Sequence, residues 1–234
     1  MPRKRTNSSR ANLPATRAAK ALALPRGVSL AGKTVEPTQI FAIPERHPKG
    51  QGPWTGEPDR IGWRDARTGL DCLVLRQDNG TWSGYVAVPP DHPLSGHLYD
   101  AVPSEVRRAA HRGLGYSELC DRREVEALAV CHVEFRPRRG AVPSVSNVSH
   151  EDEAAWWFGF ECDKPGDLVP SGPKPHRHAE EGEVYRDVNY VAAETMKLAG
   201  ALKALDNSGV PIDAPGPLAA PVRLLGKPSP GDKA

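Results

Sequence analysis

His111 stands in the run Ala109–Glu118, "AAHRGLGYSE", with Gly113 and Gly115 close behind it. Glycines let a backbone approach a ligand closely. A histidine titrates near neutrality and can act there as a base, a metal ligand or a phosphate contact. It can equally end a short helix and balance the helix dipole. A second set of polar groups lies in "FGFECDKPGD", where an apolar run leads straight into Glu161, Cys162, Asp163 and then Asp167. At period two Glu161 and Asp163 share a face and Cys162 points the other way. Carboxylates so placed can hold a divalent cation, orient a water or accept hydrogen bonds from a ligand. They can also simply bind turn amides. His111, Asp163 and Asp167 therefore form the candidate catalytic set, with Glu161 as a ligand contact. The chemistry open to them is metal-assisted hydrolysis. The sequence identifies neither the metal nor any cofactor.

Other polar groups border these two runs. "GEVYRDVNY" puts Tyr185, Asp187 and Tyr190 at the start of a predicted helix, where free amides attract anions. Asp187 competes with an anion there and suits a cap. Tyr185 and Asp187 are candidate ligand contacts, as are His97 and Asp100 in "SGHLYD". His176 and His178, in "PHRH", stand two apart and would share one face of a strand. P-loop, dinucleotide-fingerprint, GxSxG and HExxH patterns do not occur in the chain.

Several elements must position these groups. Leu70–Gln77 and Thr81–Pro89 flank Asp78-Asn79-Gly80, and Asn-Gly supplies the positive φ of a tight hairpin. Alternation puts Trp82, Gly84, Val86 and Val88 on one face. "RIGWRDA" is a third strand, joined to the first by the Arg67-Thr68-Gly69 turn. Asp91–Asp100 forms a structured loop. Ser104 starts and caps a two-turn helix. Glu126–Phe135 and Glu153–Cys162 are strands, the latter with Trp156, Phe158, Phe160 and Cys162 on one face. Val188, Val191, Thr195, Leu198, Leu202 and Leu205 form one stripe of a helix over 186–205.

Composition sets the frame. The chain has 24 Pro and 22 Gly among 234 residues, and 38% of its residues are hydrophobic. The middle is rich in Trp, Val and Leu, and the ends are rich in Pro, Ser and Lys. The expected organisation is a flexible basic tail over 1–54, an α+β domain over 55–205 and a Pro-rich disordered tail over 206–234. The domain is expected to hold an antiparallel or mixed sheet packed by the long C-terminal helix. The four cysteines show no CxxC spacing and read as reduced and mostly buried. The five Trp read as core rather than as stacking platforms. With no apolar run of about 18 residues, no membrane span is expected, and the location implied is cytoplasmic. A net charge of +2 argues against a protein built wholly around nucleic acid. The acid-free start, with Arg3, Lys4, Arg5 and Arg10, is the one segment expected to contact phosphates.

Four blocks carry a resemblance. These are Trp82–Asp100 ("WSGYVAVPPDHPLSGHLYD"), His111–Tyr116, Gly159–Asp167 and Tyr185–Glu194. Together they resemble an uncharacterised family of bacteriophage and mobile-element proteins. The family often has His-Gly-Gly where this chain has His111-Arg112-Gly113, and His where it has Lys164. The resemblance implies shared architecture and an accessory role, and it implies no particular reaction. The expected function is thus an intracellular accessory protein binding a small ligand or macromolecular partner through a polar loop site. The alternatives are a metal-assisted hydrolase and a nucleic-acid-binding protein using the basic arm.

Overall fold

Asn79 and Gly80 fold the chain back on itself. Gly80 has φ +81°, and the Asn79 side chain accepts hydrogen bonds from the Thr81 amide at 3.0 Å and hydroxyl at 2.7 Å. Around this hairpin the computed structural model describes residues 19–120, 125–131, 155–170 and 182–208. In chain order the strands are β1 (Lys20–Ala21), β2 (Val28–Leu30), β3 (Lys33–Val35), β4 (Pro37–Ala42), β5 (Arg60–Arg64), β6 (Asp71–Arg76), β7 (Trp82–Val88), β8 (Tyr116–Leu119) and β9 (Trp156–Glu161). The helices are α1 (Ser104–Arg108) and α2 (Val188–Ser208). Seven strands form one sheet in the order β1-β4-β5-β6-β7-β9-β8, and β2 pairs with β3 apart from it. Every pairing between these strands is antiparallel. The α+β expectation is met, with α2 laid across β6 and β7.

The helix-side core follows from period two in the strands and 3.6 in the helix. Trp63, Val74, Trp82, Val86, Phe158 and Phe160 from the sheet meet Val191, Leu198 and Leu202 from α2. Each such side chain contributes on the order of 1.5–3 kcal/mol when fully buried, so this face dominates the stability. Gly84 lets the helix come close: a methyl group there would collide with Thr195 and Phe160. The opposite face is smaller. It buries Phe41, Ile43, Leu73, Leu75, Tyr85 and Trp157 beneath Ala127.

The start of α2 is fixed by a buried ionic cluster. Arg76 is fully buried and lies over the Trp82 ring, 4.3 Å from its centroid. Its Nε donates to Asp59 at 2.8 Å and its Nη2 to Glu57 at 2.7 Å. Glu57 also accepts from the Trp82 indole, from the Tyr185 hydroxyl and from the Val188 amide in the first turn of α2. Asp59 further accepts the Ile43 amide and bonds His47. Buried charges hold only when paired in this way. The Arg76 cluster therefore ties 43–59 to the hairpin and to α2.

Several expectations change. The folded part begins well before residue 54, since β4 is an inner strand of the sheet. Gly80 and Gly69 turns were legible, but β8 was not. Residues 125–130 form a turn rather than a strand, closed by bonds from the Leu128 and Ala129 amides to the Val125 carbonyl. The flanking Cys131 is joined to Cys120 by a disulfide, whereas Cys72 and Cys162 are buried free thiols. Reading all four as reduced fails because β8 brings Cys120 beside a segment whose period suggested a strand. Ser104 is the first residue of α1 and not its cap. Pro103 takes that place and offers no side-chain bond. Helix α2 runs to Ser208, past the expected end at 205. The basic arm, the "PHRH" histidines and the chain beyond Ser208 lie outside the described residues.

Candidate functional site

His111 follows α1 in a tight turn and is 5% exposed, while Asp167, in the loop after β9, is 3% exposed. Side chains so deeply buried interact with each other more than with water. His111 Nε2 meets Asp167 Oδ2 at 2.7 Å. Asp167 also accepts from the Lys164 amide at 3.1 Å and from Arg186 Nε at 2.8 Å. Burial by itself raises the carboxyl's pKa. The bonds from Arg186 and His111 outweigh it and hold Asp167 below the usual carboxylate range. An ionised Asp167 accepts from the Nε2–H, and in the neutral imidazole this leaves Nδ1 as an acceptor. The Tyr190 hydroxyl, 2.8 Å away, then donates to it.

Each member is placed by a different element. Tyr190 is in the first turn of α2, and the Asp187 side chain caps that turn by accepting the Tyr190 amide at 2.7 Å. Arg186 precedes the helix and stacks over the Tyr190 ring, with Cζ 4.7 Å from its centroid. The Asp167 loop is held to the segment before α2 by an isolated bridge to Val184. Leu168 donates to the Val184 carbonyl and Val184 to that of Gly166. Arg112 follows His111 with φ +51°, a conformation that side chains rarely adopt. Its guanidinium lies over Gly166, where an added β-carbon would sit 3.3 Å from Nη2.

The expected set is thus half assembled. His111 and Asp167 meet, but Asp163 turns to Lys164, whose Nζ lies 3.2 Å from Asp163 and 2.9 Å from Glu161. No group of three or more His, Cys, Asp or Glu among the described residues could hold a metal ion. His111 and Asp167 are spent on each other, so the donor set proposed for a cation does not converge. Tyr185 belongs to the Arg76 cluster rather than to a ligand site, because its hydroxyl bonds Glu57 at 2.5 Å. Asp187 is a cap. His97 stays in its own loop, near the Ser95 carbonyl at 3.4 Å, and Asp100 is exposed. Neither makes a described bond to His111 or Asp167.

Sequence reasoning missed Arg186 and Arg112 and gave Tyr190 no specific role. The signal was present in "YRDVNY": with Asp187 as cap, Arg186 must precede the helix and Tyr190 must point back toward it. No helix among the described residues is long and apolar enough to cross a membrane.

Comparison with known protein families, curated proteins and solved structures finds no match to this chain.

Proposed function

We propose that the chain is a cytoplasmic accessory protein of phage or mobile-element type, and that it binds a small ligand rich in acceptor oxygens above the His111–Asp167 pair. The ligand would meet Arg112, Arg186 and Tyr190. One observation carries this reading. Arg112 and Arg186, far apart in the chain, meet one loop: Arg186 bonds the Asp167 carboxylate, which is engaged on both oxygens, and Arg112 lies against Gly166. The carboxylate positions the loop and one guanidinium through its Nε, and no hydrogen bond among the described residues takes the outer N–H groups. Arg112 is held in a strained backbone conformation at that rim, and such strain is concentrated at functional sites. Three of the four blocks that carry the family resemblance supply His111, Asp167, Arg186 and Tyr190.

Titration calorimetry tests it with inorganic phosphate, adenosine monophosphate and succinate as probes. At least one should give a saturable isotherm, weakened tenfold or more by Arg186→Ala. If none binds, or if the variant binds unchanged, the site is wrong.

A second reading is acid–base chemistry through an Asp167–His111–Tyr190 relay. What favours it is the order of the bonds, which ends on a tyrosine hydroxyl as a triad ends on its nucleophile. Burial keeps Tyr190 protonated to higher pH than usual, so it would serve as a donor rather than as a phenolate. Turnover of a generic ester or phosphoester that disappears in Tyr190→Phe would favour this reading over binding alone.

The Cys120–Cys131 disulfide pulls against the cytoplasmic part of the proposal, because reducing compartments keep such pairs open.

A further inference from the structure

Arg60 lies on the sheet face opposite α2 and is 0% exposed. A buried guanidinium normally has a carboxylate beside it. Among the described residues Arg60 has none. Its Nη1 donates to the Ala129 carbonyl at 2.5 Å, and its Nη2 to the Cys131 carbonyl and the Gln39 side-chain oxygen, both at 3.1 Å. All three acceptors are neutral, and Nε has no partner at all. Glu126 acts on Arg60 by its charge, with no described bond to it, and accepts from the Gln39 Nε2 at 2.8 Å. Burial, opposed by the Glu126 charge, pulls the Arg60 pKa down to about 10. Among the described residues, then, every hydrogen bond of this buried cation goes to a neutral acceptor.

A cavity of about 480 Å³ opens beside it. Arg60, Gln39, Leu73 and Trp157 line it, together with Glu36 and the ion-paired Arg64 and Asp71. Pro37, Leu73 and Trp157 give apolar walls, and a β-carbon at Gly62 would press on Thr38 Oγ1 at 3.3 Å. Trp157 is 2% exposed, and its indole N–H is a second buried donor with no partner. Small-ligand sites are of this size, a few hundred Å³ with a few unspent polar groups, and here the lining mixes polar with apolar groups.

We propose that this cavity binds a small organic carboxylate whose charged group displaces the Gln39 amide from Arg60 and whose apolar body lies against Leu73 and Trp157. Gln39 is a neutral stand-in for an anion. When its side chain turns away, a ligand oxygen takes its place on Nη2 and supplies the charge that amides and carbonyls do not. The site is separate from the His111–Asp167 pair, which lies near the far edge of the sheet with β8 and β9.

The test is amide NMR on the full chain with benzoate and its neutral isostere benzamide. Benzoate should give saturable shifts at Gln39, Gly62 and Leu73 and bind at least tenfold more tightly than benzamide. Gln39→Glu places a carboxylate on Arg60 within the chain and should weaken benzoate at least tenfold. Arg60→Gln should abolish the preference for benzoate. Because removing Arg60 can unfold the chain, Gln39→Glu decides the matter alone. Equal binding of the two probes, benzoate binding to Gln39→Glu as to the natural chain, or shifts confined to the Arg186 rim would each overturn the proposal.

Discussion

His111 Nε2 and Asp167 Oδ2 stand 2.7 Å apart although 56 residues separate them in the chain. The contact joins the turn after α1 to the loop after β9, and Arg186 and Tyr190 add the start of α2. Three segments are therefore fixed by one carboxylate. Removing a single partner from such a buried pair leaves the other charge or dipole unsatisfied, at a cost of about 3–5 kcal/mol. Asp167→Asn keeps the volume and should cost about 3 kcal/mol in urea unfolding. His111→Ala should cost a similar amount, and the double variant less than the sum of the two. Strict additivity would mean that the two residues do not act on each other.

Acid should act through the same carboxylate. The folded chain holds Asp167 below its ordinary pKa, so its ionisation adds stability that is fully present above about pH 4. That stability is lost as pH falls through the ordinary value toward the folded one. The gap in unfolding free energy between the natural chain and Asp167→Asn should be constant from about pH 7 to 5 and should close below about pH 4. A gap that widens in acid would reverse the sign and refute the assignment of Asp167 as ionised.

Arg112 offers a separation of stability from binding. Its φ of +51° costs on the order of 1–2 kcal/mol relative to a glycine in the same place. Glycine frees the unfolded chain and takes back about 0.4–1 kcal/mol. Arg112→Gly should thus be neutral or up to about 1 kcal/mol more stable, while losing affinity for any ligand of the Arg186 rim. Lower stability, with a melting temperature several degrees down, would show that the arginine is held there for structure rather than for binding.

How far the sequence showed this depends on whether a contact is local. The hairpin at Asn79-Gly80, the turn at Gly69 and the α2 stripe are written in neighbouring residues, and each was readable. His111 and Asp167 were both readable as candidates, because glycines and a strand end mark them. That they touch, and that Asp163 does not join them, depends on how the loop after β9 turns back to pair with Val184. Nothing local encodes that turn. Strands β1 to β4 were hidden by prolines at 25, 37 and 44, which punctuate edges and bulges as readily as disordered chain. Pro37 is itself the first residue of β4, beside a register shift against β5. Arg60 and Arg76 went unread because a charged residue inside a strand gives no sign of its burial until its partners, tens of residues away, are in place.

The cysteines give a direct count. With Cys120 and Cys131 joined, denatured protein prepared without reductant should show two titratable thiols, and four after reduction. In the native state Cys72 and Cys162 should resist alkylation, since burial raises both thiol pKa values well above normal. Four thiols without reductant would mean that the pair is open in the protein as cells make it, and would remove the objection to a cytoplasmic location.

The groups gathered by Asp167 are proposed to face a ligand. Amide and arginine side-chain NMR of the full chain, titrated with whichever of phosphate, adenosine monophosphate or succinate binds in calorimetry, tests it most directly. Saturable shifts are expected at Arg112, Arg186 and Tyr190, and they should vanish in Arg186→Ala while the remaining spectrum stays folded. Shifts that map elsewhere, or that survive in Arg186→Ala, would contradict the proposal.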